Sequence, residues 1–215
     1  DMMGIATDIQ KGAPNILAVP KGKEWHEGFS KGGDAAGKAA FDLITHFAQM
    51  KVPEQLLKDY SPGSKVYNSL WDEIIETADR YNEPGRFTAL IGYEWTSTEK
   101  GNNLHRNVIF RNAEVTSRAI STYDTGSRNF PKLWRLLREQ CIDSGSGCDV
   151  MAIPHNGNAS DGLMFPVETS YGGSSLDKGY AEARMRNETL YEITQIKGTS
   201  EVYPALSPND EFAGF

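Results

Sequence analysis

Four side chains of metal-binding type lie in or beside apolar runs that read as strands. Glu94 follows Leu90-Ile91-Gly92-Tyr93, His105 sits at the start of the run Leu104 to Arg111, His155 follows Met151-Ala152-Ile153-Pro154, and Glu192 interrupts Leu190-Tyr191-Glu192-Ile193. In α/β sheets and barrels, ligands gather beyond strand ends, where side chains from separate strands converge. Two imidazoles and a carboxylate suit Zn²⁺, Mn²⁺ or Fe²⁺ better than Ca²⁺ or Mg²⁺, whose sites are built mainly from oxygen. None of these residues forms a close local motif, so structural uses stay open beside the metal-binding one. Glu94 could pair across a hairpin with Arg106 or Arg111, and Glu192 could be paired within its strand. His155 could hydrogen-bond in the turn Asn156-Gly157-Asn158, and His105 could stand on a pleated edge. Arg106, Lys197 and Glu201 are of types that suit a pocket or a surface equally. His26, in a Lys/Glu-rich stretch, and His46, four residues after Asp42, are assigned to the surface.

These residues need elements to position them. Residues 1 to 33, rich in Gly, Pro and Lys, are expected to be irregular. Asp34 can cap a helix over Ala35 to Met50 with Phe41, Ile44, Phe47 and Ala48 on its apolar face, and a second helix is expected from Val66 to Tyr81. Phe87 to Trp95 and Leu104 to Arg111 read as strands flanking the turn-rich Thr98 to Asn103, an arrangement suited to a hairpin. A helix over Pro131 to Cys141, a strand over Asp149 to Pro154, a long loop over Asp161 to Gly179, a short helix over Gly179 to Asn187 and a strand over Thr189 to Ile196 complete the pattern. Strands alternating with helices indicate an α/β fold with at least one antiparallel pair.

The 215 residues are 39% apolar and 24% charged, which excludes disorder as the main state. No apolar run is long enough to cross a bilayer. The net charge of −7, with basic residues interspersed among acids, argues against a nucleic-acid partner. Cys141 and Cys148 are the only cysteines; they could close a small loop in an oxidising compartment or remain as two buried thiols. Dinucleotide and phosphate-loop motifs, the Gly-x-Ser-x-Gly elbow and His-Glu-x-x-His are absent from the sequence.

Longer strings carry a resemblance. Gly85-Arg86-Phe87-Thr88-Ala89-Leu90-Ile91-Gly92-Tyr93-Glu94-Trp95-Thr96-Ser97, then Gly101 to Arg111, Ile153 to Asn158, Glu192 to Glu201 and Ser207 to Phe215, resemble in order the blocks of the bacterial family DUF3604. That family is in turn similar to the polymerase and histidinol phosphatase (PHP) superfamily, whose fold is a distorted (β/α)₇ barrel around a metal cluster. The resemblance implies a metal-dependent hydrolase, phosphoesterase-like, acting on a small-molecule substrate. It places Glu94, His105 and His155 on the metal, with Glu192 as a further ligand candidate. It assigns Glu94 and Arg106 to catalysis and Asn156, Asn158 and Lys197 to substrate contact, and it suggests export in Gram-negative bacteria. The superfamily's His-x-His and Asp-His pairs, expected before Asp1, and its Asp-x-His pair, expected after Phe215, are not in the sequence. The expectation is therefore a single PHP-like domain fragment over residues 1 to 215, with exposed edges open to self-association. The rival expectation is a non-enzymatic binding or structural module of an exported protein.

Overall fold

The N-terminal stretch expected to be irregular is helical. In the computed structural model, which describes residues 3–49, 51–126, 129–155, 157–170, 173, 175–195, 198–199, 204–205, 208–209 and 211, helices α1 (Ile5–Lys11), α2 (Pro14–Leu17) and α3 (Pro20–Lys31) fill that region. Pro14 and Pro20 occupy first-turn positions, where a missing N–H costs nothing. Gly12, at φ 66°, closes α1: its N–H donates to the Ile9 carbonyl, and the Ala13 N–H donates to that of Asp8. The Gly and Pro residues that read as loop signals are helix punctuation between short segments.

The chain divides into two units, Asp1–Glu76 and Thr77–Phe215. In the first, α4 (Gly33–Ala48), α5 (Glu54–Tyr60) and the start of α6 (Lys65–Tyr81) follow α3. Ile5, Ile9, Ile16, Val19, Trp25, Val52, Leu56 and Tyr60 form its buried core. The expected apolar face of α4 is rotated: Phe41 and Ile44 are exposed, while Leu43 and Phe47 pack on the core and Ala39 is buried. The α3–α4 crossing is the physical reason, because a Cβ added at Gly28 would lie 2.6 Å from the Ala39 Cβ. So close an approach turns the small-residue side of α4 toward α3. His46 bonds the Asp42 carbonyl, as a helical pair four residues apart can, whereas His26 is half-buried on α3 and donates from Nδ1 to the Ile9 carbonyl.

The second unit is built on an open antiparallel sheet of β1 (Ile91–Trp95), β4 (Arg106–Phe110) and β5 (Val150–Pro154), in the order β1-β4-β5. Between β1 and β4 a two-stranded tip is formed by β2 (Thr98–Glu99) and β3 (Asn102–Asn103). The expected hairpin is therefore present, although β1 starts at Ile91 and Phe87 is tied back to Glu83 by an isolated bridge. Helices α7 (Thr122–Thr125) and α8 (Phe130–Gln140) precede β5, and α9 (Lys178–Asn187) follows the turn-rich segment after it. The strand expected over Thr189 to Ile196 shrinks to β6 (Thr194–Gln195), paired with β7 (Gly198–Thr199). Every strand pair among the described residues is antiparallel and no barrel closes. Of the expectation of part of a (β/α)₇ barrel with an antiparallel hairpin, the described residues show a mixed α/β fold with an open antiparallel sheet. Both connections within the sheet return the chain antiparallel, even the long one through α7 and α8.

Period-two alternation gives the sheet two unlike faces. Ile91, Trp95, Arg106, Val108, Phe110, Val150 and Ala152 are buried on one, with Phe130, Leu133, Trp134 and Leu137 of α8 also in the core of this unit. Gly92, Glu94, Asn107, Ile109, Met151 and Ile153 occupy the other. Cys141, at the end of α8, is bonded to Cys148, just before β5, which settles the open alternative in favour of the bridge. Among the described residues no helix is long and apolar enough to cross a membrane.

Candidate metal centre

The sheet register brings the three ligand candidates together. Trp95 pairs with Arg106 and Arg106 with Pro154, so the next positions along place His105 beside His155, whose N–H donates to the His105 carbonyl at 3.3 Å. Glu94 pairs with Asn107 and projects from the same face as His105 two residues away. One ligand atom from each of Glu94, His105 and His155 lies within 4.8 Å of the others. Glu94 Oε1 is the centre, 3.0 Å from His105 Nδ1 and 3.1 Å from His155 Nε2. The rings stand edge to face, with centroids 5.7 Å apart.

Burial grades across the trio. The His155 side chain is 8% exposed, His105 13% and Glu94 43%, so the site has a protein floor and a wet mouth. The bonds from His105 and then His155 hold the Glu94 carboxyl well below the usual carboxylate range, against the opposing effect of burial. An ionised, strongly accepting oxygen is thus held between two imidazole nitrogens.

The three donors are positioned to hold a metal ion. With metal–ligand distances of roughly 2.0–2.2 Å, neighbouring donors around one ion lie about 3.0–3.4 Å apart, and the two oxygen-to-nitrogen separations are of that size. The nitrogens turned away from Glu94 also have partners: Thr98 Oγ1 is 3.0 Å from His105 Nε2, and Glu192 Oε2 is 3.8 Å from His155 Nδ1. Metal-bound histidines characteristically have such outer partners, which fix ring orientation and tautomer. Glu192, expected as a ligand candidate, stands behind His155, with its own N–H donating to the Pro154 carbonyl.

Arg106 requires a correction. As the neighbour of His105 on a strand it points to the opposite face, where its side chain is fully buried. Its Nε donates to Glu188 Oε1 at 2.9 Å, its Nη1 donates to the Leu104 carbonyl at 2.5 Å, and its guanidinium lies 4.1 Å over the Phe130 ring. It is a core cation paired with an acid, and the expected role beside the metal is withdrawn. Asn156 and Lys197 lie outside the described residues, as does the side chain of Asn158, whose backbone belongs to a short 3₁₀ turn, Gly157–Ala159.

Sequence reasoning missed two residues. Thr98 carried no signal beyond its place in the turn-rich hairpin tip. Glu188, 2% exposed, accepts from Arg106, from Trp134 Nε1 at 2.8 Å and from Arg184 Nε at 3.1 Å. Its signal was indirect, since an arginine within an apolar strand needs an acid partner.

In comparisons with known proteins, a family model described as "Protein of unknown function (DUF3604)" matches residues 1–215. No curated protein and no solved structure matches the chain.

Proposed function

The chain belongs to the DUF3604 family, and from that premise and the geometry of its site we propose that it is a metal-dependent hydrolase, phosphoesterase-like and related to the PHP superfamily. The observation that carries this reading is the convergence of Glu94, His105 and His155 on a space that one ion can fill. Zn²⁺, Mn²⁺ or Fe²⁺ fits two imidazoles and a carboxylate, and a bound ion of this kind supplies a water whose pKa falls from 15.7 to about 7.

The chain's own residues divide the remaining work. His155, deepest in the site, anchors one side, with the Glu192 carboxylate 3.8 Å behind its Nδ1. His105 closes the second side. Glu94, the most exposed of the three, faces the mouth, where its second oxygen can accept a hydrogen bond from an incoming water and orient it. Three protein ligands leave coordination positions open for water and substrate, as catalytic sites require and closed structural sites do not. Contact with a small phosphoester by Asn156, Asn158 and Lys197 belongs to the same proposal, on the family resemblance. The Cys141–Cys148 bridge supports an oxidising, exported location.

Elemental analysis of the purified protein after exposure to Zn²⁺, Mn²⁺ and Fe²⁺ tests the reading. Expected is stoichiometric metal that disappears in Glu94→Ala and His155→Ala, together with hydrolysis of members of a phosphoester panel. A protein that takes up no metal, or whose uptake is the same in both variants, removes the hydrolase reading and leaves the binding-module rival.

A further inference from the structure

Resting on the metal reading above, we propose that Thr98, at the hairpin tip, is a positioning residue that makes His105 bind the ion through Nδ1 while His155 binds through Nε2. The two histidines turn opposite nitrogens toward Glu94 Oε1: Nδ1 of His105 at 3.0 Å and Nε2 of His155 at 3.1 Å. What lies behind each ring accounts for the choice. The far nitrogen of His155 meets a carboxylate, that of Glu192, whereas the far nitrogen of His105 meets a hydroxyl, Thr98 Oγ1 at 3.0 Å.

The tip holds that hydroxyl in place. Thr98 pairs with Asn103 and Glu99 with Asn102, and the Leu104 N–H donates to the Ser97 carbonyl at 3.0 Å. Lys100 and Gly101, the two turn residues, have φ of 54° and 86°, the paired positive values of the type I′ turn that matches the twist of a hairpin. Ser97 and Leu104 are buried at the base of the tip. Thr98, on β2, and His105, two residues past its partner Asn103, are therefore held on the two arms of one hairpin, whose register sets the distance between their side chains.

A hydroxyl at this position does what a carbonyl or carboxylate cannot. Ser and Thr hydroxyls both donate and accept. With an ion on Nδ1, the proton of neutral His105 sits on Nε2 and is donated to Thr98 Oγ1. Without the ion, Nδ1–H donates to Glu94 and the Thr98 hydroxyl turns to donate to Nε2. His105 thus has a partner at each nitrogen in both states, with Glu94 at Nδ1 giving way to the ion, and loading requires only that one proton change nitrogen and the hydroxyl rotate. With an ion on Nε2 of His155 its proton sits on Nδ1, on the side of the acceptor-only Glu192, 3.8 Å away.

The test uses the full chain, with Zn²⁺ affinity measured by chelator competition and the His ring nitrogens read by ¹⁵N NMR. Thr98→Val, which keeps shape and removes the hydroxyl, is expected to weaken Zn²⁺ binding about 10- to 100-fold, the usual effect of losing an outer partner of a metal-bound histidine. Thr98→Ser, which keeps the hydroxyl, restores most of the loss, and a general packing role would not be rescued in this way. In wild-type protein loaded with Zn²⁺, His105 is expected to show a metal-shifted Nδ1 and a protonated Nε2, with the pattern reversed at His155. Wild-type affinity in Thr98→Val, or a metal-shifted Nε2 at His105, overturns the proposal while leaving the metal reading intact if Glu94→Ala still abolishes binding. Unchanged binding in Glu94→Ala brings down both. The spectrum of the wild-type protein decides the matter even if Thr98→Val folds poorly.

Discussion

Replacing Glu188 by Gln tests whether Arg106 is a structural cation. The carboxylate is 2% exposed and accepts from Arg106, Trp134 and Arg184, while Arg106 itself is fully buried and its charged form is already disfavoured by desolvation, which lowers its pKa. Gln keeps the shape and can still accept, but it supplies no negative charge to two neighbouring guanidinium groups. Breaking a buried ion pair by neutralising one partner costs about 3–5 kcal/mol. A Coulomb estimate at an effective dielectric of about 20 and a charge separation of about 4 Å gives about 4 kcal/mol, the same size. Set against a typical total stability of 5–15 kcal/mol, that loss is readily seen in urea unfolding followed by near-UV circular dichroism. Combining Glu188→Gln with Arg106→Met should recover at least about 1 kcal/mol of the summed single losses, because the double variant leaves no unpaired charge at Arg106. A loss below about 1 kcal/mol for Glu188→Gln would refute the argument, since it would mean that water already solvates the guanidinium. Zn²⁺ uptake per folded molecule is expected to be unchanged in Arg106→Met, and a loss of uptake at constant fold would return Arg106 to the metal.

Three further outcomes follow from other parts of the molecule. Reducing Cys141–Cys148 should lower stability by about 2.5 kcal/mol, the chain-entropy value for so short a loop, and a urea midpoint indifferent to reductant would contradict it. Asp124 caps α7 through Ser121; burial raises its pKa, but the Arg118 guanidinium and the Ser121 N–H outweigh burial and hold it below the ordinary value. Its contribution, about 1–2 kcal/mol, is therefore complete above the unfolded pKa near 4 and fades as pH falls through the lower folded value. Asp124→Asn should remove it and flatten the acid limb of the stability curve, and an Asn variant with the wild-type acid limb would exclude Asp124 as the source. Gly28→Ala sets two effects of opposite sign against each other: helix propensity favours Ala by about 1 kcal/mol, but the new Cβ would meet the Ala39 Cβ at 2.6 Å, and overpacking costs about 1–3 kcal/mol. A net loss in thermal unfolding, relieved by Ala39→Gly, is expected; a stabilised variant would show that α3 and α4 separate freely.

Local pattern carried much of the second unit, and in the first it placed α4 and α6 but not α1 to α3 or α5. The β1 and β4 hairpin, β5 and α8 all follow from runs of apolar residues between clear turn signals. In the first unit the same rules misread Gly12, Pro14 and Pro20 as loop signals, because a proline opening a helix and a proline breaking one look alike until the neighbouring segments are known. The face of α4 was unreadable for a related reason: the close crossing at Gly28 and Ala39, a tertiary contact, decides which side turns inward, and Phe41 and Ile44 are left outside.

Parity along a strand separates the candidate metal ligand from the structural residue at adjacent positions. His105 and Arg106 are neighbours in sequence, and both have chemistry suited to a hydrolytic site. Once β1, β4 and β5 pair, alternate residues face opposite ways, so His105 must join Glu94 and His155 on one side while Arg106 enters the core with Glu188 on the other. A one-residue slip of β4 against β1 and β5 would exchange these assignments, putting His105 on the core side and taking Arg106 away from Glu188. The buried pair of Arg106 and Glu188 therefore favours the register that the candidate metal site needs, and it links a fully buried charge to the alignment of Glu94, His105 and His155.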